Sequence, residues 1–250
     1  MSAHEGNKVP PITLAFWVIK IGATTLGETG GDFLSMSLNL GYAASTLILV
    51  GCFAVTLAGQ LATRRYHPVA YWAVIVATTM VGTTMSDYMD RTLHLGYIAG
   101  SAILIAILLL ILAVWRLTTG SVSASRIADR RSEAFYWTAI LFSNTLGTAF
   151  GDFVSTTEGL GFAAGAFLIG GGLGLLAAAY AFTPLSRTAL FWLAFILSRP
   201  LGATLGDLLT KPLSEGGFAM SRLDSSLVIA AFIVFAVWLV YGRRTARIVR

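Results

Sequence analysis

Four copies of one pattern constrain this chain more than any other feature. An aromatic-Trp pair stands at Phe16-Trp17, Tyr71-Trp72, Tyr136-Trp137 and Phe191-Trp192. Ten residues after each Trp comes a glycine: Gly27, Gly82, Gly147 and Gly202. Fourteen after it stands a small residue (Gly31, Ser86, Gly151, Gly206), and fifteen after it an aspartate (Asp32, Asp87, Asp152, Asp207). Nine residues beyond each aspartate lies another glycine, Gly41, Gly96, Gly161 or Gly216, and then a long apolar run. A repeat of this kind is one supersecondary unit that buries its apolar face only against its neighbours. The Trp-to-Trp steps are 55, 65 and 55, so repeat 3 follows repeat 1, and repeat 4 follows repeat 2, by 120 residues. That spacing fits a hairpin doubled and then doubled again, as two halves, 11–120 and 131–243.

The apolar runs set the solvent. Hydrophobic residues make up 56% of the chain and charged ones 12%, about half the usual charged share of a soluble domain, and the mean hydropathy is +0.77. Gly41–Leu61, Leu95–Trp115, Gly159–Ser186 and Ser225–Gly242 contain no charged residue. Segments in lipid must satisfy their own backbone hydrogen bonds, so these are helices. First helices are expected at 12–33, 69–88, 134–153 and 188–208, and second helices at 41–61, 95–116, 160–181 and 225–242. Eight spans of about 20 residues use roughly 160 positions. The fold class expected is therefore all-α, an integral membrane bundle of eight helices from four parallel two-helix repeats. The polar start (MSAHEGNKVPP) lacks the basic stretch of a signal peptide, and the first apolar run is read as a span.

This arrangement resembles a family of bacterial membrane proteins of unknown function, defined by four tandem repeats of two transmembrane helices with a characteristic tryptophan. The resemblance covers about 11–243 and implies architecture without a settled activity.

Charge sets the orientation. One side is expected to carry Lys8, Arg64, Arg65, Arg116, Arg126, Arg130, Arg131, Arg187, Arg243, Arg244, Arg247 and Arg250. The other carries Arg91, Lys211 and Arg222. The positive-inside rule then puts both termini in the cytoplasm of a bacterial inner membrane, with all repeats in the same orientation. The net charge of +5 is accounted for by these loops, and no motif points to nucleic acid.

The motif positions allow paired readings. Trp17, Trp72, Trp137 and Trp192 are interfacial anchors or platforms for ligand stacking. The small pairs Gly27/Gly31, Gly82/Ser86, Gly147/Gly151 and Gly202/Gly206 let helices approach closely, as do Gly41/Ser45, Gly96/Gly100, Gly161/Gly165 and Gly217/Ser221 at the starts of the even helices. The aspartates lie about 22 Å along each helix from the Trp, as interfacial polar ends or as an acidic cluster marking a pathway. Asp87 with Arg91 and Asp207 with Lys211 are i,i+4 pairs. Asp32 and Asp152 lack such a partner, having Met36 and Thr156 at that offset and Ser35 and Ser155 one residue nearer. Glu28 precedes Asp32 by one turn, so Glu28, Asp32 and Asp152 are the candidate cation ligands. Lys20 is expected to snorkel beyond Trp17. Arg199 is expected to point inward beside Pro200, which removes a helix hydrogen bond and serves as a hinge.

Cys52 and the scattered histidines His4, His67 and His94 argue against soft-metal chemistry, and Met80, Met85 and Met89 read as packing. No catalytic set or cofactor motif appears: Gly170-Gly171-Gly172 has no strand before it. The reading is a transporter or permease for a hard cation (H⁺, Na⁺, Mg²⁺ or Mn²⁺), not an enzyme, with no cofactor. Its partners are the lipid bilayer, a small cation or small-molecule substrate, and in one arrangement a second copy of itself. The alternatives are a non-transporting structural or partner-binding membrane protein and a proton-coupled small-molecule transporter.

Overall fold

The computed structural model describes residues 7–124, 127, 129–154 and 161–242. His4, Arg126, Ser155, Thr156, Gly159 and the arginines Arg243, Arg244, Arg247 and Arg250 lie outside the described residues. Among the described residues there are eight α-helices and no strand: α1 (Leu14–Asp32), α2 (Gly41–Ala62), α3 (Pro68–Asp87), α4 (Gly96–Thr119), α5 (Arg130–Asp152), α6 (Gly161–Phe182), α7 (Arg187–Thr210) and α8 (Arg222–Val237).

Local chemistry sets these boundaries. Each odd helix starts behind a side-chain cap: Thr13, His67, Asp129 and Ser186 accept from the backbone N–H of Phe16, Ala70, Ser132 and Ala189. Such caps satisfy donors that a first turn leaves without intrahelical partners. The repeated glycine before the even helices answers a backbone demand. Gly41, Gly96 and Gly161 have φ of +74°, +70° and +71°, a region that costs residues with a Cβ. Repeat 4 departs from the pattern. Gly216 keeps the left-handed conformation, but residues 213–221 fold back over the end of α7, through Phe218 N–H to Leu208 O (2.8 Å) and Met220 N–H to Leu209 O (2.9 Å). Gly217 therefore packs on Lys211 before α8 begins, while Ser221 caps α8. The expectation that Gly217/Ser221 forms a small-residue face on an even helix is overturned.

The packing order is cyclic. α1 lies against α3, α3 against α5, α5 against α7, and α7 against α1. Each even helix packs on the first helix of the next repeat: α2 on α3, α4 on α5, α6 on α7, and α8 back on α1. The repeats thus interlock, and the last closes the ring on the first.

The solvent of each helix follows from its place in the ring. Six helices (α2, α3, α4, α6, α7 and α8, with the turns that extend them) are long and apolar enough to cross a membrane. The outer ones expose Leu47, Val55, Ile98, Leu109, Phe167 and Val228, a belt that would be unfavourable in water. α1 and α5 carry Lys20, Glu28, Glu133 and Asn144, all buried; these side chains face protein rather than lipid, so the helices tolerate the polar residues that lower their hydropathy. The chain is an all-helical, multi-pass membrane bundle.

Candidate functional site

The inner helices bring together positions four residues apart, from the aromatic before each Trp to the aspartate. Residues four apart lie on nearly one face of a helix, so each inner helix lends a stripe to the axis, and equivalent residues stack in layers.

The first layer is aromatic. Phe16 meets Trp72 (ring centroids 5.6 Å), Tyr71 meets Trp137 (5.4 Å), Tyr136 meets Trp192 (6.4 Å), and Phe191 meets Trp17 (5.9 Å). Tyr71 and Tyr136 join hydroxyls at 2.6 Å. Trp72, Trp137 and Trp192 are buried and Trp17 is half-buried. The interfacial-anchor reading fails for those three: each tryptophan closes the ring against the preceding repeat.

Next comes Lys20, fully buried. Its ammonium lies 4.1 Å from the centroid of Phe195 and 3.4 Å from Asn144 Oδ1. Among the described residues it forms no ion pair. It does not snorkel, because α1 is an inner helix and its side chain enters the bundle.

The third layer explains the glycine ten residues after each Trp. Gly27 packs on Thr79, Gly82 on Asn144, Gly147 on Arg199 and Gly202 on Thr24, again cyclically. A Cβ on Gly82 would lie 2.9 Å from the Asn144 carbonyl carbon. Close approach lets the Thr79 hydroxyl donate to Ala23 O (3.0 Å) and the Thr83 hydroxyl reach Gly27 O (3.0 Å) on α1. Gly147 and Gly151 together make room for Arg199 and Pro200. α7 runs unbroken from Arg187 to Thr210 across Pro200.

Arg199 points inward, as expected, and is 0% exposed. Its Nη2 donates to Glu28 Oε2 at 3.0 Å and to the Thr83 hydroxyl at 2.5 Å. Between the aromatic ring and Glu28 these buried side chains occupy the axis.

The last layer holds all four aspartates, each buried. Both i,i+4 pairs form, Asp87–Arg91 at 2.8 Å and Asp207–Lys211 at 3.2 Å. The expected asymmetry does not hold. Arg91 also reaches Asp152 (3.3 Å), Lys211 also reaches Asp32 (3.9 Å), and Arg222 lies 3.6 Å from Asp32. Each cation spans two neighbouring repeats, so Asp32 and Asp152 have partners from outside their own helices. Among the described residues, Glu28, Asp32 and Asp207 come together, with one oxygen of each within 4.8 Å of the others. Asp207 thus takes the place expected for Asp152, which lies beside Arg91. Past Asp32 and Asp87 the chain winds one π-helical turn, Phe33–Ser37 and Tyr88–Thr92, a geometry that recurs at functional sites. Three buried carboxylates at this separation present hard oxygen ligands suited to Na⁺, Mg²⁺ or Ca²⁺.

Sequence reasoning missed the Thr24/Thr79/Asn144/Arg199 layer. Its signal was present, a position seven residues after each Trp that is polar in every repeat. It also missed Glu133, which pairs with Lys8 at 2.6 Å; nothing in the spacing links residues so distant in sequence.

No curated protein and no solved structure matches the chain. The repeat of unknown function DUF347 matches it four times, at residues 15–66, 70–121, 135–185 and 190–245, with starts offset by the same 55, 65 and 55 residues as the tryptophans. With those matches spanning most of its length, the chain belongs to the DUF347 repeat family.

Proposed function

We propose that this protein is a transporter or permease for a hard cation, not an enzyme, with its pathway along the axis of the inner ring. The observation that carries this reading is the Glu28–Asp32–Asp207 cluster, buried inside a membrane bundle and held against Arg199. Ionisable groups at such depth are costly and are retained where they serve a pathway. Arg199 and Lys211 act as internal counter-cations, Arg199 on Glu28 and Lys211 on Asp32 and Asp207. A cation entering the cluster replaces them, and that exchange couples entry to a change of state. Arg91 plays the same part for Asp87 and Asp152. The Trp end faces the cytoplasm of a bacterial inner membrane, in keeping with the basic residues gathered there.

The test is ion flux by purified protein in proteoliposomes, with H⁺, Na⁺, Mg²⁺ and Mn²⁺ offered separately. At least one should pass at a rate that Asp32→Asn/Asp207→Asn abolishes while insertion and folding persist. Wild-type flux of every ion through that variant sinks the reading.

One observation favours a second reading, a non-transporting structural protein. The axis between the aromatic ring and Glu28 is filled by Lys20, Thr24, Thr79, Asn144 and Arg199, all fully buried. On that reading the aspartates are ion-paired helix ends, and no flux is seen with any ion.

A further inference from the structure

A second cluster of buried polar groups lies at the opposite end of the bundle from the aspartates, unused by the axial pathway. Glu133 is in the first turn of α5 and Gln60 in the last turn of α2, both buried. Glu133 is 19 residues before Asp152, about 28 Å along the helix. Into this cluster reaches Lys8, from a segment without helical structure. That segment is stitched across two connections: Lys8 N–H donates to Ile127 O (3.0 Å), Tyr66 N–H to Asn7 O (3.2 Å), and Ile127 N–H to Asn7 Oδ1 (3.2 Å). The Lys8 ammonium lies 2.6 Å from Glu133 Oε2, the shortest ion pair among the described residues, and 3.4 Å from Leu61 O. The Gln60 amide donates at 3.5 Å to Glu133 Oε1 and at 3.5 Å to Lys8 O, yet its own oxygen, fully buried, has no hydrogen-bond partner.

The ammonium is held by a carboxylate and one main-chain carbonyl, and the amide that bonds the same carboxylate carries an unpartnered oxygen. An ammonium has three donors; here they reach Glu133 and Leu61 O and leave the Gln60 oxygen unsatisfied. A hard metal cation takes six or more oxygen ligands from carboxylates, amides, carbonyls and water. We propose that Glu133, Gln60 and Leu61 O form a hard-cation site, and that Lys8 is its tethered occupant, a built-in surrogate that a free cation displaces. The strap from Asn7 to Val9 is then a lid. When a cation replaces Lys8, the lid loses its ion pair and Val9 leaves the core. The site does not depend on transport along the axis.

The test uses the full chain in detergent, with thermal unfolding read in NaCl, MgCl₂ or MnCl₂ against choline chloride at equal ionic strength. Lys8→Met leaves Glu133 buried without a counter-charge and should melt below wild type in choline. One of the metal ions should restore it saturably, by roughly 5–10 °C at a hundredfold excess over Kd. Lys8→Met/Glu133→Gln should lose that rise, and Lys8→Met/Asp32→Asn should keep it. The last variant distinguishes failure at this site from failure of the axial cluster. No saturable rise with any of the three ions, or a rise that persists without the Glu133 carboxylate, overturns the proposal. If Lys8→Met does not fold, Val9→Cys in a Cys52→Ala background supplies the readout. Saturating metal should speed maleimide labelling of that buried position about tenfold, and an unchanged rate overturns the proposal.

Discussion

Gly27 and Gly51 differ in what a methyl group would meet. A Cβ on Gly27 would run into the Thr79 side chain and lie 2.9 Å from its carbonyl carbon, whereas at Gly51 nothing stands within 4 Å. Gly27→Ala should therefore cost about 1–3 kcal/mol by overpacking. Gly51→Ala, in an outer helix, should be neutral or gain up to about 1 kcal/mol from lost backbone entropy in the unfolded chain. Melting temperatures of the two variants in detergent check the contrast, and equal effects would remove the close approach as the reason for the repeated glycine. Arg199 and Glu28 pose a different question, because both are buried and form an ion pair at 3.0 Å. Arg199→Met alone should cost about 3–5 kcal/mol by stranding the carboxylate, and Glu28→Gln/Arg199→Met less than that. Additive losses in a double-mutant cycle would show that the pair is not coupled. At this scale the sequence revealed bonds within one helix and concealed those between repeats. Asp87–Arg91 and Asp207–Lys211 follow from i,i+4 spacing. Arg91 to Asp152 and Lys211 to Asp32 depend on which helices are neighbours, which no local pattern encodes.

The helices themselves were largely legible, since their causes are local. Seven of the eight begin within a few residues of where the apolar runs and cap residues place them; α5 starts four residues early because Asp129 caps it, and its side-chain oxygen accepts from Ser132 N–H at 2.9 Å. Hydrogen bonds from Ser132, through its hydroxyl and its backbone N–H, hold the Asp129 carboxyl below its ordinary value of 3.8. A depressed folded-state pKa contributes stability above the unfolded value, and loses it as pH falls through the folded one. Asp129→Ala should cost about 1 kcal/mol at pH 7, and the difference in melting temperature from wild type should vanish well below pH 4. A gap that persists undiminished at pH 3 would show that the carboxylate does not supply the cap. The folded-back segment of repeat 4 was not legible, because Gly216 repeats the spacing while the hydrogen bonds to Leu208, Leu209 and Lys211 that redirect the chain follow no helical spacing. The depth of Lys20 escaped for a related reason: snorkelling presumes a side chain on the lipid face, and Lys20 lies on the face of α1 that the ring buries, away from the exposed Leu14 and Val18.

For the whole molecule, the distinction that matters is between a closed ring and an open array of repeats. In a linear solenoid the terminal units would each leave one face uncovered. Here the face of α1 that has no preceding repeat is covered by α8, and Gly202 of α7 meets Thr24 of α1 as Gly27 meets Thr79. Closure also assembles the acid cluster, since Glu28 and Asp32 come from the first repeat and Asp207 from the last. The same contacts made between two copies would give a swapped dimer with an equivalent interface, a common risk when one element can be exchanged. Proximity cross-linking separates these arrangements. A Cβ on Gly22 would lie 3.5 Å from Ile233 Cγ1, so cysteines at the two positions come within disulfide reach. Gly22→Cys/Ile233→Cys in a Cys52→Ala background, with a protease site inserted at Ser123, should be oxidised and then cut. If the ring closes within one chain, the two halves stay joined and run at the mass of a single chain until reduced. Twice that mass after oxidation and before cutting would assign the closure to a swapped dimer, and free halves after cutting would show that α8 does not return to α1. In that last case Asp207 has no fixed place beside Glu28 and Asp32, and the axial cluster loses its structural basis.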